Sequence, residues 1–279
     1  MKKILVPCDF GAQSINAVRV ALDIASMSNG AVHLLNVVEL PIMHDTVLMP
    51  VLSFEEALLE ELKEKGEKQF NKLIKKYAKD FKKVKGTVVY GNTSLMILRY
   101  IEENNIDLVV MGTKGASGVR EALIGSNTEK IVRRSPVPVL TIKKYVDIST
   151  IRNIVFPSTL QGEHDGLVAS VKDLQKFFDA TLHIVFINTP TNFTRDTVTY
   201  KRLKEFVKKY GIKNYTTNIF NDPFEESGVT HFADMIGADM IAIGTHGRKG
   251  LAHILSGSLT EDLVNHVDLP TWTFMIRKG

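Results

Sequence analysis

Two stretches of this sequence carry chemistry by residue type and spacing. Gly112-Thr-Lys-Gly115 is followed, after nine residues, by Gly125-Ser126, and the same spacing returns as Gly244-Thr-His-Gly247, nine residues, then Gly257-Ser258. In both copies an apolar run ends at the first glycine, Ile106 to Met111 and Ala238 to Ile243, and a helix-like segment follows the Gly-Ser. Strand, glycine loop, helix start is the arrangement in which unpaired backbone N–H groups and the positive end of a helix dipole collect an anion such as phosphate. Glycine at 112, 115 and 125 permits a close approach that a Cβ would block, and Ser126 is expected to cap the helix while offering its hydroxyl to an oxyanion. One such pair of glycines would read as turn residues; a fifteen-residue pattern found twice in equivalent contexts favours phosphate binding. The loop is not a Walker loop, because no Gly-Lys-Ser/Thr follows four residues after a glycine, and the first strand-to-helix turn lacks a dinucleotide fingerprint.

Other reactive side chains point to little further chemistry. Phosphate hydrolysis needs an activated water held by a base or a metal carboxylate, and Asp9 is the one acidic residue expected beside the crevice at the strand ends. No dedicated enzyme is expected, only slow incidental phosphate hydrolysis. His246, His253 and His266 lie close together with His231 nearby, but no pair has the His-x-x-x-His spacing of a helix-borne site, so no metal site is expected. His33 and His183 hold matching strand positions as satisfied sheet histidines. Cys8, the only cysteine, reads as a small buried residue in a reducing compartment. Trp272 reads as core or interface packing.

The elements that must position these residues begin with size. A chain of 279 residues with 44% apolar content fills more than one core, so two domains are expected. A net charge of +4 gives no case for nucleic acid, and runs such as Lys75-Lys76 and Lys82-Lys83 alternate with acidic residues as solvated helix faces do. The N-terminus breaks at Pro7 and Asp9 before a signal-peptide core forms, and no stretch approaches the roughly 18 apolar residues of a spanning helix. A soluble, cytoplasmic protein with no membrane partner is expected.

In order, Ile4 to Pro7 is a strand, Gly11 to Met27 a helix, and Ala31 to Val38 a second strand. Residues 39–52 form a loop, and Ser53 caps a long amphipathic helix to Phe81. Val84 to Tyr90 is a strand, Ser94 to Asn104 a helix with Leu95, Ile97, Leu98 and Ile101 inward, and Ile106 to Met111 the strand that feeds the loop. Pro136 to Ile142 closes the set, with Pro138 marking a sheet margin. Then the order restarts: Ile154 to Pro157 matches Ile4 to Pro7 at an offset of 150, as does His183 with His33, and the offset falls to 132 at the glycine loop. Later elements return as helices at Arg195 to Tyr210 and Glu225 to Ile236, with strands at Asn214 to Phe220 and Thr271 to Ile276.

Apolar strands separated by helices imply parallel sheets with right-handed crossovers and helices on both faces. The fold class is α/β, two tandem doubly wound domains of five strands each, at residues 1–145 and 151–279, packed on each other across a short linker. Ligands bind such sheets outside the carboxyl ends of the strands, where Asp9, Val37 and Gly112 would converge.

The chain resembles the universal stress protein family in its tandem two-domain form, through Val6-Pro-Cys-Asp-Phe10, Leu35-Asn-Val37, and Met111-Gly-Thr-Lys-Gly115 with Gly125-Ser126. The resemblance implies a Rossmann-like, adenine nucleotide alpha hydrolase-like fold and a stress-response role. It also implies ATP or a related adenine nucleotide as ligand, with magnesium accompanying the phosphates. Carried over by position, Gly112, Gly115, Gly125, Ser126 and Thr128 would surround the phosphates, with Asp9 near the sugar and base and Val37 beside the adenine, and Pro7, Met111 and Asn127 would join them as nucleotide-binding residues. Family members pair through their last strands, which implies an internal pseudo-dimer through Val137 to Ile142 and Thr271 to Ile276, with a homodimer as a further expectation. The second copy keeps Gly244, Gly247, Gly257 and Ser258 but has Ser158-Thr-Leu160 for Cys8-Asp-Phe10 and Ile187 for Val37. Thr159 cannot supply the charged acceptor that grips paired ribose hydroxyls, so weaker or absent nucleotide binding is expected there, although Arg248 and Lys249 would favour an anion. An adaptor acting only through protein association, without nucleotide, is the alternative from another class, and a slow nucleotide hydrolase is a weaker one.

Overall fold

The computed structural model describes residues 1–39, 51–113, 125–160, 165–246, 260, 263–264 and 267–276, with the side chains of 51–57 and 246 left aside. Gly115, Gly247, Gly257, Ser258, His253 and His266 lie outside the described residues.

The first half runs β1 (Lys3–Pro7), α1 (Ala12–Ser28), β2 (Ala31–Val38), α2 (Val51–Tyr77), β3 (Val84–Tyr90), α3 (Thr93–Asn104), β4 (Leu108–Gly112), α4 (Ser126–Arg134) and β5 (Val139–Ile142). The second runs β6 (Asn153–Pro157), α5 (Asp165–Phe178), β7 (Thr181–Asn188), α6 (Asp196–Tyr210), β8 (Tyr215–Asn221), α7 (Glu225–Ile236), β9 (Met240–His246) and β10 (Thr271–Ile276). Local chemistry sets several of these limits. Asn29 and Asn105 enter the left-handed region and stop α1 and α3, as Gly211 and Gly237 stop α6 and α7. Asn92 caps α3 by accepting from the Leu95 N–H.

All ten strands form one sheet in the order β3-β2-β1-β4-β5-β10-β9-β6-β7-β8. Every neighbouring pair is parallel except β5 and β10, which meet antiparallel with Leu140 opposite Trp272. Register is fixed alike in both halves by an aspartate before the glycine-loop strand. Asp107 accepts from the N–H groups of Lys2 and Lys3 at 2.7 and 2.8 Å, and Asp239 accepts from those of Arg152 and Asn153 at 2.9 Å each.

Because β5 and β10 meet antiparallel, the same face of each half looks the same way. A single core therefore runs under α1, α2, α5 and α6, from Ile4 and Phe70 through Leu140 and Trp272 to Phe156 and Phe206. The opposite face has separate cores, Leu5, Ile97, Ile101 and Ile131 in the first half, and Val155, Val229 and Phe232 in the second. The linker is packed into this arrangement: Ile148 and Ile151 are fully buried, the Tyr145 hydroxyl donates to Asp23 at 3.0 Å, and the Arg19 guanidinium lies 3.6 Å over the Tyr145 ring.

Four local expectations are corrected. Pro138 does not mark a margin of the whole sheet, since β5 lies between β4 and β10; the proline stands one residue outside the strand, where its carbonyl accepts from Val109 N–H at 3.0 Å and its missing donor costs nothing. Leu95 is 54% exposed, because it lies about 200° around the helix from the buried Ile97. The long helix starts at Val51, so Ser53 lies inside it rather than capping it, and it ends at Tyr77. Ser126 does not cap α4: Gly125 holds the non-helical cap position and Ser126 is already helical.

Candidate ligand site

A cavity of about 240 Å³ opens at the carboxyl ends of β1, β2 and β4. This is the switch point of the first half, where connections leave β1 and β4 in opposite directions along the sheet. Its walls are Pro7, Cys8 and Asp9 after β1, Leu35 to Val37 on β2, Met111 and Gly112 on β4, and Gly125, Ser126, Asn127 and Thr128 at the start of α4. Ser14, Thr93 and Ile97 complete the lining. Nine of the ten residues expected from the sequence thus meet in one cavity, and the tenth, Gly115, lies outside the described residues. Cys8, Ser14, Leu35, Asn36, Thr93 and Ile97 also line it and were not among the expected site residues. Thr93 opens α3 just past β3, where its residue type carries no signal of a ligand site.

The floor is built by backbone bonds between strand ends. Cys8 N–H donates to the Leu35 carbonyl at 2.8 Å, and the Asn36 amide donates to the Cys8 carbonyl at 2.8 Å. Asp9 is exposed and accepts from the Gly11 N–H at 2.9 Å, which shapes the turn into α1. Between them Phe10 adopts φ 63°, and Leu160, at the matching place in the second half, adopts φ 60°. Bulky side chains enter this region at a cost of roughly 1–2 kcal/mol. The Cys8 thiol is buried 3.7 Å from the Ser14 hydroxyl, and burial pushes its pKa up, so it is a neutral thiol rather than a nucleophile.

The glycine end has two different causes. A Cβ on Gly112 would lie 2.8 Å from the carbonyl carbon and Cβ of Gln13, so glycine is needed there for α1 to approach the sheet. Gly125 has φ −59° and ψ 134°, which any residue adopts, and it provides no side-chain cap. The first N–H groups of α4 therefore begin at the cavity wall without a capping side chain, and Ser126, Asn127 and Thr128 are the residues that carry them. The Thr128 hydroxyl donates to the Gly112 carbonyl at 3.0 Å, tying the helix start to the strand end. Apolar walls at one end, uncapped N–H groups at the other and a carboxylate beside them suit a flat ring joined to an anionic tail.

The matching crevice of the second half measures about 20 Å³ and is bounded, among the described residues, by Pro157, Ser158, Thr159, Phe186, Ile187, Asn192, Glu225 and Val229. Phe186 stands where the first half has Asn36, and Glu225 where it has Thr93. The Asn192 amide donates to Glu225 at 2.8 Å across the crevice, and burial raises the Glu225 carboxyl pKa. Ile187 fills the space beside Gly228, where a Cβ would come within 2.5 Å of its Cγ2. Of the second glycine set, Gly244 ends its apolar run within β9, and a Cβ there would meet Leu167 and Ile276 at 2.7 and 2.8 Å. Nothing in the sequence marks these two residues: Asn192 lies in the segment where the repeat offset changes, and Glu225 reads only as the first residue of a helix.

Among the described residues no group of three His, Cys, Asp or Glu side chains is placed to hold a metal ion. His231 bonds Asp222 at 2.7 Å, while the Ser227 hydroxyl also donates to Asp222 rather than to the imidazole, so these three do not form a nucleophile relay. His33 is hydrogen-bonded to Tyr100 of α3 at 3.0 Å, and His183 is hydrogen-bonded within the sheet to Thr216 and Asn153 at 2.9 and 3.1 Å. No described helix is long and apolar enough to cross a membrane.

The family model described as the universal stress protein family matches residues 1–143 and 200–274. Universal stress protein MJ0531 of Methanocaldococcus jannaschii is 32% identical over 144 residues, covering 51% of this chain and 82% of that protein. Universal stress protein Slr1230 of Synechocystis is 23% identical over 179 residues, covering 62% and 59%. In three dimensions the chain is similar to a universal stress protein from Archaeoglobus fulgidus, with a TM-score of 0.77 at 20% identity over 98% of each chain. By the extent of the family match, this chain belongs to the universal stress protein family.

Proposed function

We propose that the first half binds an adenine nucleotide, ATP or a relative of it, in the cavity between β1, β2 and β4, and that the protein acts as a nucleotide-dependent stress regulator rather than as an enzyme. The observation that carries this is the meeting of Pro7, Asp9, Val37, Met111, Gly112 and Gly125 to Thr128 in one cavity at the switch point. The adenine would lie against Val37, the ribose hydroxyls would donate to Asp9, and the phosphates would accept from the α4 N–H groups. With no metal cluster among the described residues, magnesium would arrive bound to the phosphates and leave with them. The functional units are residues 1–145 and 151–279, joined through β5 and β10 as an internal pseudo-dimer, with a homodimer of whole chains as a further level of assembly.

Calorimetric titration with ATP tests the proposal. Binding is expected, and Asp9→Asn, which keeps an acceptor for Gly11 N–H but removes the charge, should weaken it about tenfold, the difference between a charge-assisted and a neutral hydrogen bond. Absence of binding at millimolar ATP, with no nucleotide released on heat denaturation, would refute it.

A further inference from the structure

The cavity of the first half is bordered by a second helix start, and this one is already supplied with an anion. Thr93, the first residue of α3, lines the cavity together with Ile97 one turn further on. The Glu39 carboxylate, just past β2, accepts from the Thr93 N–H at 2.9 Å, and the Thr93 hydroxyl donates to the same carboxylate. These bonds, with the charge of Lys130, hold the Glu39 carboxyl below the usual carboxylate range, so it is ionised at neutral pH. The Asn92 side chain takes the Leu95 N–H, which completes the cap.

The two ends of the cavity therefore differ in sign. At α4 the first N–H groups are uncapped and suit an anion, whereas at α3 a carboxylate of the chain itself occupies the helix start and would repel a phosphate. A nucleotide held here lies with its phosphates at α4 and the edge of its base toward Thr93. What Thr93 offers that edge is set by Glu39. A hydroxyl has one proton and two lone pairs, and with the proton committed to a carboxylate it is left only as an acceptor. An acceptor takes the exocyclic amine of an amino purine and is set against the ring carbonyl of an oxo purine.

Resting on the adenine-nucleotide reading above, we propose that Thr93, its proton held by Glu39, accepts from the base amine and selects amino purine over oxo purine nucleotides in this cavity. Thr93 is the contact, and Glu39 is a positioning residue that acts through it.

Calorimetric titration of the whole chain with ATP and with inosine triphosphate, which carries a carbonyl in place of the amine, tests this. ATP is expected to bind about tenfold more tightly. Thr93→Val should bring the ratio close to one by weakening ATP, while Thr93→Ser should keep it. Glu39→Gln should lower the ratio by strengthening inosine triphosphate. Its carbonyl still accepts from the Thr93 N–H, but its amide donates to the Thr93 oxygen and turns the hydroxyl proton toward the base. Equal binding of the two nucleotides by the unaltered protein, or a ratio unmoved in Thr93→Val and Glu39→Gln, would overturn the inference and leave nucleotide binding intact. Binding of neither nucleotide at millimolar concentration would refute the nucleotide reading and this inference with it.

Discussion

The Thr128 hydroxyl holds the carbonyl of Gly112 at 3.0 Å across sixteen residues of chain, and Thr260 reaches Gly244 at 3.5 Å over the same separation. Both threonines are buried. In each half the two ends of the glycine loop are pinned to one another by a bond that does not involve the loop's own interior. The start of the following helix is thereby fixed relative to the end of the strand.

Thr128→Val keeps the shape of the side chain and removes that bond, leaving the Gly112 carbonyl without its donor. A loss of about 1 kcal/mol in denaturant-unfolding stability is expected. Nucleotide affinity should fall with it, because the α4 N–H groups are no longer held against β4. Unchanged affinity in a destabilised variant would show that the pin serves folding alone.

The two glycines at the ends of the loop should respond differently to alanine. Gly112→Ala forces a Cβ to within 2.8 Å of Gln13, so α1 must move and a cost of roughly 1–3 kcal/mol is expected by chemical denaturation. Gly125→Ala meets backbone angles that alanine adopts freely, so stability should stay within about 0.5 kcal/mol while ATP affinity drops if phosphate lies against that position.

Nucleotide stoichiometry should be one per chain. The second crevice has about 20 Å³ where the first has about 240 Å³, and it holds Phe186 and a carboxylate in place of Asn36 and Thr93. Restoring the missing acid alone, by Thr159→Asp, should leave the stoichiometry at one. A value of two for the unaltered protein would sink the asymmetry, whereas zero would sink the binding proposal itself.

Stability should fall on mild acidification. Burial holds the imidazoles of His33 and His183 below their usual value of 6.5, and Lys3 and Lys85 add to this at His33. As pH falls below about 6.5 the unfolded chain takes up these protons first, so the folded state loses ground there and is unaffected above. His33→Gln with His183→Gln should flatten the dependence of melting temperature between pH 7 and 5. Glu225 works in the opposite sense: burial raises its pKa, so its ionisation opposes folding as pH rises past the usual carboxylate range. Glu225→Gln, which can still accept from Asn192, should raise the melting temperature at pH 7.

Much of the fold is legible in the residues. Branched runs such as Ala31 to Val38, and helix stops such as Asn29, encode their structure within a few positions, so element type and order follow from local pattern. Leu95 shows the limit even here, because a leucine two places from the buried stripe counts as apolar in sequence yet faces water. The cavity was legible at its strand ends, where Asp9, Val37 and Gly112 follow apolar runs. It was not legible at Ser14, Asn36 or Thr93, whose types are common on any surface and which become lining only when three strands lie side by side.

The sequence by itself determined that the chain repeats, that each repeat is a doubly wound α/β unit, and that the first retains an acid the second has lost. Each of those follows from residue type and spacing along the chain. Only the tertiary structure decided that the last strands, whose pairing the family resemblance implied, meet antiparallel and merge the halves into one sheet, that Gly112 is glycine because α1 passes over it, and that Asn192 and Glu225 span the second crevice. Those are contacts between segments far apart in sequence, and their partners are chosen by strand register and helix packing, which no local pattern records.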